Sequence, residues 1–200
     1  MRPAVDFAWR TFTRRGSLFV AILLTIFGAW VALEIIVIAG QRIGIVLWVA
    51  AHLAFLFFFA GLEVGLVRVC LDIHDGGEPA FADTFAHFAL GPRFLLGQVL
   101  YLLMVMIGLA LLIVPGLYLG ARYGLFAFPL AAGELDLVGS FQRSSLLSAA
   151  SKARLTAILL ALLAFNLLGA SLLGLGLLIT LPLSLLTMTA VYRQLSTPGG

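Results

Sequence analysis

Four ionisable side chains lie inside long apolar stretches of this 200-residue chain: Glu34, His52, Glu63 and Arg122. A charge at membrane depth is costly, so such residues usually face protein or water and mark a binding site or an ion path. Their chemistry could support an ion pair, a proton relay or contact with a charged substrate. These four residues are therefore the candidate intramembrane polar site.

Glu34 and Arg122 have spacings that predict a shared depth. Glu34 lies five residues before the end of one apolar stretch, and Arg122 lies six residues after Gly116. At about 1.5 Å per residue, each would lie about 8–9 Å below the outer boundary, so an ion pair between them is geometrically open. Such a pair either orients two helices as a structural contact or binds a charged substrate or lipid headgroup.

His52 and Glu63 are eleven residues apart, so they share one face of a helix. This spacing is compatible with a proton path. Alternatively, Glu63 is close enough to the cytoplasmic end to pair with Arg68, Arg193 or interfacial water, and His52 is a neutral histidine hydrogen-bonded to a neighbouring helix. One His and one Glu about three turns apart are too few and too distant for a metal site.

Catalytic motifs are absent from the sequence. It contains no Gly-x-Ser-x-Gly elbow, no His-Glu-x-x-His helix and no phosphate-cradling glycine loop. Residues 72–78 combine three carboxylates with His74, which could take a divalent cation, but Gly76 and Gly77 indicate a turn in a solvated loop. We therefore predict no catalytic residue, no metal, no cofactor and no enzymatic activity.

The composition excludes an ordinary soluble domain. Hydrophobic residues make up 62% of the chain, charged residues only 10%, and the mean hydropathy is +1.15. No basic run is interleaved with aromatic residues, so nucleic-acid binding is not expected. Cys70 is the only cysteine, which rules out an intrachain disulfide.

The basic residues indicate how the chain lies in a membrane. Of the 12 Lys and Arg residues, ten fall in alternate segments between apolar stretches, Arg42 falls in another segment, and Arg122 falls inside a stretch. Short loops rich in Lys and Arg stay in the cytoplasm, so both termini are predicted to be cytoplasmic. The ten are Arg2, Arg10, Arg14, Arg15, Arg68, Arg93, Arg143, Lys152, Arg154 and Arg193.

Six membrane crossings follow from stretches of about 20 apolar residues. They are predicted at residues 17–39, 43–67, 94–114, 117–132, 155–171 and 175–192. Pro115 and Gly116 are expected to break the helix between the third and fourth crossings. A glycine cluster around Gly174 is expected to turn the chain between the fifth and sixth. The predicted fold is an all-α transmembrane six-helix bundle, a single integral membrane domain over residues 1–200.

Three cytoplasmic segments, at about residues 3–15, 78–89 and 137–150, have aromatic residues on one face. Amphipathic helices of this type lie in the lipid interface. These segments lead into units of about residues 3–67, 80–133 and 137–193, which predicts either three hairpin repeats or merely the hairpins of any six-helix protein. The predicted lipid-interface residues are Trp9, Phe12, Arg14, Arg15, Phe81, Phe85, Phe88, Phe141, Lys152 and Arg154.

Residues 111–123 carry a resemblance to a known family. They form a leucine-rich run, Pro-Gly, an aliphatic-aromatic pair and then Arg-Tyr. This pattern resembles YciC-like bacterial integral membrane proteins, which are related to the membrane domain fused to some glycerophosphodiester phosphodiesterases. Residues 140–145 and 174–193 also resemble that group. The resemblance implies a six-helix protein of the bacterial cytoplasmic (inner) membrane, and the phosphodiesterase catalytic domain is absent.

The expected function is that of a non-enzymatic integral membrane protein in envelope maintenance, acting through contacts with lipids or partners. The candidate partners are membrane lipids, a second copy of the chain in a homo-oligomer, or another membrane protein. The alternative is a small transporter or channel with an intramembrane path through Glu34, Arg122, His52 and Glu63.

Overall fold

A computed structural model describes residues 2–39, 44–149, 151–171 and 174–197. These residues are all-helical, as predicted, and no strand occurs among them. The predicted turn at residues 40–42, and with it Arg42, lies outside the described residues. The α-helices are α1 Arg2–Ala39, α2 Ile45–His74, α3 Gly91–Leu111, α4 Ile113–Tyr123, α5 Ala127–Ala131, α6 Leu137–Ala149, α7 Lys152–Ser171 and α8 Leu177–Ser196, and 3-10 helices cover Phe81–Phe85 and Phe88–Leu90.

Among the residues that the structure describes, five helical stretches are long and apolar enough to cross a membrane, as in a multi-pass membrane protein. Their large apolar side chains are mostly exposed, as expected of surfaces that face lipid. The stretches are Pro3–Ile38, Ile45–His74, Phe81–Leu111, Ile113–Ala131 and Lys152–Ser171.

Helix α8, at the sixth predicted crossing, is not among these five stretches. It is instead the helix with the most buried side chains, including the polar Thr180, Ser184, Thr187 and Thr189. Asn166 of α7 donates a hydrogen bond to Ser184 Oγ at 2.9 Å. Thr187 and Thr189 donate to the carbonyls of Leu183 and Leu185 in α8 itself, whereas Ser184 accepts its hydrogen bond from another described helix.

The turn between α7 and α8 lies at the predicted glycine cluster. Gly174 has a φ of +77°, a left-handed conformation that favours glycine. A Cβ atom added at Gly176 would lie 2.5 Å from the carbonyl oxygen of Gly169. The two helices therefore approach so closely beside the turn that larger residues would not fit.

The break between α3 and α4 occurs before the predicted Pro115 and Gly116. Leu112 is the residue with extended backbone, at φ −166° and ψ 154°, and α4 begins at Ile113. Pro115 therefore lies in the first turn of α4, where the missing amide removes no helical hydrogen bond. Gly116 serves close packing, since a Cβ there would lie 2.4 Å from Leu109 Cγ.

The fourth predicted crossing, residues 117–132, is not one helix. α4 ends at Tyr123, and α5 begins at Ala127 after a turn at residues 124–126. With eleven residues, α4 is only about 16 Å long. The whole stretch Ile113–Ala131 is still long and apolar enough to cross a membrane. Its apolar run did not reveal the internal break, because the contacts that stabilise the break come from α6.

Residues 78–89 do not form the predicted amphipathic α-helix but two 3-10 helices packed on α2. A Cβ atom at Gly65 of α2 would lie 1.8 Å from the Thr84 carbonyl oxygen, and one at Gly61 would lie 2.7 Å from the Phe88 ring. The two α2 glycines thus let this segment lie directly on the helix. Their contacts decide its backbone more strongly than its aromatic spacing does.

The first interfacial segment, residues 3–15, is continuous with α1 apart from non-helical backbone at Arg15, at φ −126° and ψ 23°. Ala4 and Ala8 are buried, while Val5 and Trp9 are more than half exposed. The three interfacial segments have three different structures: an extension of α1, two 3-10 helices, and α6. The threefold repeat remains a prediction.

Buried side chains concentrate at one end of the molecule, where residues 2–15, the last turns of α2 and α8, α5, α6 and the start of α7 meet. We call this region the basic end. Its core includes Leu71, Phe126, Leu130 and Tyr192, with the Phe128 and Tyr192 rings stacked at 5.0 Å. The hairpin tips, which are residues 35–38, 45–49, 109–114, 167–171 and 174–175, expose large apolar side chains instead.

Candidate functional site

Helix α6 presents a row of serines to the protein interior. Ser140, Ser144 and Ser148 are all fully buried, at the four-residue spacing that places them on one helix face. The sequence predicted that Leu137, Val138, Phe141 and Ser144 form a face in the lipid interface. Val138 is exposed, but Ser144 is buried and the Phe141 ring packs inward, stacked on Phe126 at 4.7 Å.

The serines stabilise the break between α4 and α5. Ser144 Oγ and Ser148 Oγ each donate a hydrogen bond to the Arg122 carbonyl at 3.0 Å. The Leu125 amide donates to Ser144 Oγ at 3.1 Å. Backbone groups at a helix end need such partners, because no further turn supplies them. The α6 hydroxyls therefore hold the end of α4 and orient Arg122.

The Arg122 side chain belongs to a cluster of two cations and two tyrosines, which we call the Tyr118 cluster: Tyr118, Arg122, Tyr123, Ser145 and Lys152. Arg122 Nε donates to Ser145 Oγ at 2.9 Å and Nη1 donates to the Tyr118 hydroxyl at 3.2 Å. Lys152 Nζ donates to the same hydroxyl at 3.5 Å. Arg122 also lies 5.4 Å from the centre of the Tyr123 ring, within cation–π range.

Among the described residues, no carboxylate forms an ion pair with the Tyr118 cluster. Within the part of the chain that the structure describes, the ion pairs involve Arg15, Arg68, His74 and Arg193, and neither Arg122 nor Lys152. Two positive charges that share one phenolic oxygen repel each other and attract an anion. A phosphate or carboxylate could accept hydrogen bonds from both side chains at once.

Other basic residues surround the cluster on the same end. Arg193 pairs with Asp75, Arg68 bonds the Ala132 carbonyl and approaches Asp72 at 3.8 Å, and Arg15 pairs with Glu78 at 2.9 Å. Asp72 lies in the last turn of α2, which extends to His74, whereas Asp75 and Glu78 lie in the segment after it. Arginines therefore bind both the end of α2 and the segment that follows. The described residues contain no group of three His, Cys, Asp or Glu side chains that could hold a metal. Exposed basic residues without a carboxylate contact among the described residues are Arg10, Arg14, Arg93, Arg143 and Arg154.

The predicted ion pair between Glu34 and Arg122 does not form. Arg122 lies beside α6 and Lys152, on the side that the charge pattern predicts to be cytoplasmic, rather than near an outer boundary. Glu34 lies 19 residues beyond Arg15, about 28 Å along α1 from the ion pair with Glu78. The pair that the spacing left open is not made, because the Arg122 side chain is held by Ser145 and Tyr118 instead.

His52 and Glu63 each have a local partner. His52 Nδ1 is 2.9 Å from the Trp48 carbonyl of its own helix, and the His52 and Trp48 rings lie 4.1 Å apart. The sequence predicted a hydrogen bond to a neighbouring helix, but this contact lies within α2. Glu63 Oε2 accepts a hydrogen bond from Gln98 of α3 at 2.8 Å, rather than pairing with Arg68 or Arg193. The four predicted intramembrane residues are therefore not brought together as one site.

The predicted lipid-interface residues divide into two groups. Trp9, Arg14, Phe81, Phe85, Lys152 and Arg154 are exposed, and Lys152 also joins the Tyr118 cluster. The others are less exposed and contact protein: Phe12 packs against a core cluster that includes Phe19 and Leu186, Phe88 lies on Gly61, Phe141 stacks on Phe126, and Arg15 binds Glu78.

Sequence reasoning missed the serine row of α6 and the role of Tyr118. The four-residue spacing of Ser140, Ser144 and Ser148 was visible and could have indicated a polar helix face. Comparisons with known proteins found no match among protein-family models, curated proteins or solved structures. The resemblance to YciC-like proteins therefore remains a prediction.

Proposed function

We propose that this chain is a non-enzymatic protein of the bacterial inner membrane whose basic end contacts anionic lipid headgroups, in a role in envelope maintenance. The observation that carries the proposal is the Tyr118 cluster, where Arg122 and Lys152 converge on one hydroxyl with no carboxylate in ion-pair contact among the described residues. Basic residues near an anionic leaflet each contribute about 1 kcal/mol of attraction.

Lipid is favoured over a soluble anion by what surrounds the cluster. Tyr118 is 38% exposed and lies on α4, within an apolar helical stretch. Tyrosine rings are typical of the membrane–water interface, where one end of the ring is apolar and the other end is wet. A headgroup phosphate at this depth would reach Arg122 and Lys152 while its acyl chains stay in lipid.

The test is lipid binding by the purified full chain in neutral detergent, measured by native mass spectrometry with phosphatidylglycerol and phosphatidylcholine. We expect phosphatidylglycerol to be retained preferentially, and R122Q/K152Q to reduce its affinity about 30-fold. R93Q/R143Q is the matched control, because it removes two exposed charges outside the cluster and outside the predicted lipid-interface residues. Equal retention of the two lipids by the native chain would overturn the proposal.

The orientation is part of the proposal. Six crossings with α8 as the sixth, and both termini cytoplasmic, are supported by the collection of basic residues at one end. Cys70 is the only cysteine and is buried, so C70A gives a background for single-cysteine labelling. A cysteine at Glu78, which is 86% exposed, should react with an impermeant maleimide only in inverted vesicles. Labelling in right-side-out vesicles would show that this end faces the outside and would overturn the proposed orientation.

The alternative is a small transporter or channel. The observation that favours it is the hydrogen bond between Glu63 and Gln98, which joins α2 and α3 inside two apolar stretches. Its test is flux of protons or small ions in reconstituted vesicles, with E63Q compared with E34Q. Flux abolished by E63Q and unchanged by E34Q would favour transport over lipid contact.

A further inference from the structure

A cavity of about 440 Å³ lies between the first half of α1 and the end of α2. Arg10, Thr11, Arg14 and Arg15 line it from α1, and Ile73 and Gly76 line it from the other side. Its volume is within the range of about 300–1,000 Å³ that is typical of small-ligand sites. It is separate from the Tyr118 cluster, because the two share no residue.

The cavity carries a positive charge that its own neighbours do not cancel. Arg15 is paired with Glu78 at 2.9 Å. Arg10 uses its Nε atom to donate to the Asp6 carbonyl at 3.2 Å, which leaves its two terminal nitrogens available. Among the described residues, neither Arg10 nor Arg14 forms an ion pair with a carboxylate. Two guanidinium groups therefore line a half-open cavity without a counter-ion from the described chain.

The types of side chain fit a tetrahedral oxyanion. A guanidinium group presents a planar set of donors that matches the oxygen spacing of phosphate, and two such groups can bind different oxygens of one phosphate. The Thr11 hydroxyl on the same wall adds a further polar group. A compact cavity of this kind fits a single charged group better than it fits an extended acidic peptide.

The position along α1 gives the source of that phosphate. The apolar stretch of α1 starts at Ser17, two residues beyond Arg15, whose non-helical backbone separates the two parts of the helix. The cavity therefore lies just outside the apolar layer, at the level of lipid headgroups. Trp9, more than half exposed on the same part of α1, has the amphipathic ring that is common at this level.

We propose that the cavity lined by Arg10, Arg14 and Thr11 is a discrete phosphate-binding site that takes the headgroup phosphate of an anionic phospholipid. The proposal deepens the lipid-contact function and rests on it only for the lipid source of the phosphate. It differs from general attraction to a charged membrane because one cavity binds one group with saturable stoichiometry.

The experiment uses the full chain in neutral detergent, titrated with phosphatidylglycerol and followed by native mass spectrometry. We expect R10Q/R14Q to remove one saturable lipid and to lower affinity at that site about 30-fold, because two charge-assisted contacts are lost. R93Q/R143Q removes the same charge from exposed positions outside the cavity and should change the affinity of that site less than about twofold. Equal losses in the two variants, or no loss in R10Q/R14Q, would overturn the proposal.

Two further arms separate the explanations. Inorganic phosphate that competes with the lipid would support the site and identify a free phosphate as a second ligand, whereas failure to compete would support a headgroup held by its lipid. Binding of an acidic peptide without binding of phosphatidylglycerol would overturn it. R122Q/K152Q is measured in parallel. If only R10Q/R14Q loses lipid, the result supports the phosphate site in the cavity and contradicts the proposal that the Tyr118 cluster is the lipid contact.

Discussion

The basic end and the hairpin tips of this protein are built in different ways. At the basic end, side chains such as Leu71, Phe126 and Tyr192 are buried, and hydroxyls, carboxylates and guanidiniums bond across helices. At the hairpin tips the large side chains are apolar and open: Val46 is 79% exposed and Val114 is 75% exposed. Packing of side chains against other helices is therefore concentrated at the basic end, whereas the apolar side chains at the hairpin tips are left for lipid to cover.

The difference follows from the two solvents that the chain meets. Lipid covers apolar side chains without any specific partner, so the tips need only helical backbone and apolar residues. In the orientation that we propose, the basic end lies at the boundary with water, where polar groups can be exchanged for water and specific contacts must hold the segments in position. Substitutions should therefore have large effects at the basic end and small effects towards the tips.

The largest effect is expected from Gly65→Ala. The added Cβ would lie 1.8 Å from the Thr84 carbonyl oxygen, so α2 and the 3-10 segment must separate. We expect a loss of about 3 kcal/mol in the free energy of unfolding, measured by denaturation in detergent.

Gly28→Ala in α1 is the matched control for Gly65→Ala. Its Cβ would meet no atom within 4 Å, so the change should stay within about 0.5 kcal/mol. A loss at Gly28 equal to that at Gly65 would remove the distinction between the two regions.

A medium effect is expected from Ser144→Ala in α6. The substitution removes the acceptor of the Leu125 amide and one of the two serine donors to the Arg122 carbonyl. Loss of a buried hydrogen-bond partner costs about 1–3 kcal/mol. Thr25→Ala is the control, since Thr25 bonds only the Ala21 carbonyl of its own helix. Thermal unfolding in detergent that ranks Thr25→Ala as the more damaging change would contradict the role of the serine row.

The smallest effect is the coupling between Glu34→Gln and Arg122→Gln. Arg122 is held by Ser145 and Tyr118, and Glu34 lies towards the tip of α1, so the two substitutions should act independently. Their effects on unfolding should add within about 0.5 kcal/mol in a double-mutant cycle. A coupling energy several times that size would indicate that Glu34 and Arg122 interact, as their spacing suggested, and would contradict the separation of the two regions.

Hydrophobic patterning predicted the helical nature of the chain well. The two breaks near Pro115 show its limit. The sequence marked a proline and a glycine, but the break fell at Leu112, because proline is accommodated in the first turn of α4 and glycine serves close packing. A second break, after Tyr123, had no local signal, since the hydroxyls that stabilise it come from α6.

The candidate site was predicted in part. Arg122 was correctly singled out as unusual, because an arginine within an apolar stretch is costly. Its partners were not predictable from depth counting: Ser145 and Lys152 lie 23 and 30 residues further along the chain, on two other helices. The cavity at Arg10 and Arg14 depends on the loop after α2 folding back to α1, which no local pattern encodes.

Composition and charge order by themselves determined that this is a helical multi-pass membrane protein with its basic residues gathered between apolar stretches. These properties depend on how each segment partitions between water and lipid, which is a local property of the residues. Only the tertiary structure decided that Arg122 joins Lys152 and Tyr118, that residues 78–89 lie on two glycines of α2, and that three arginines line one cavity. Those outcomes depend on which helices pack together, and packing joins residues far apart in the chain.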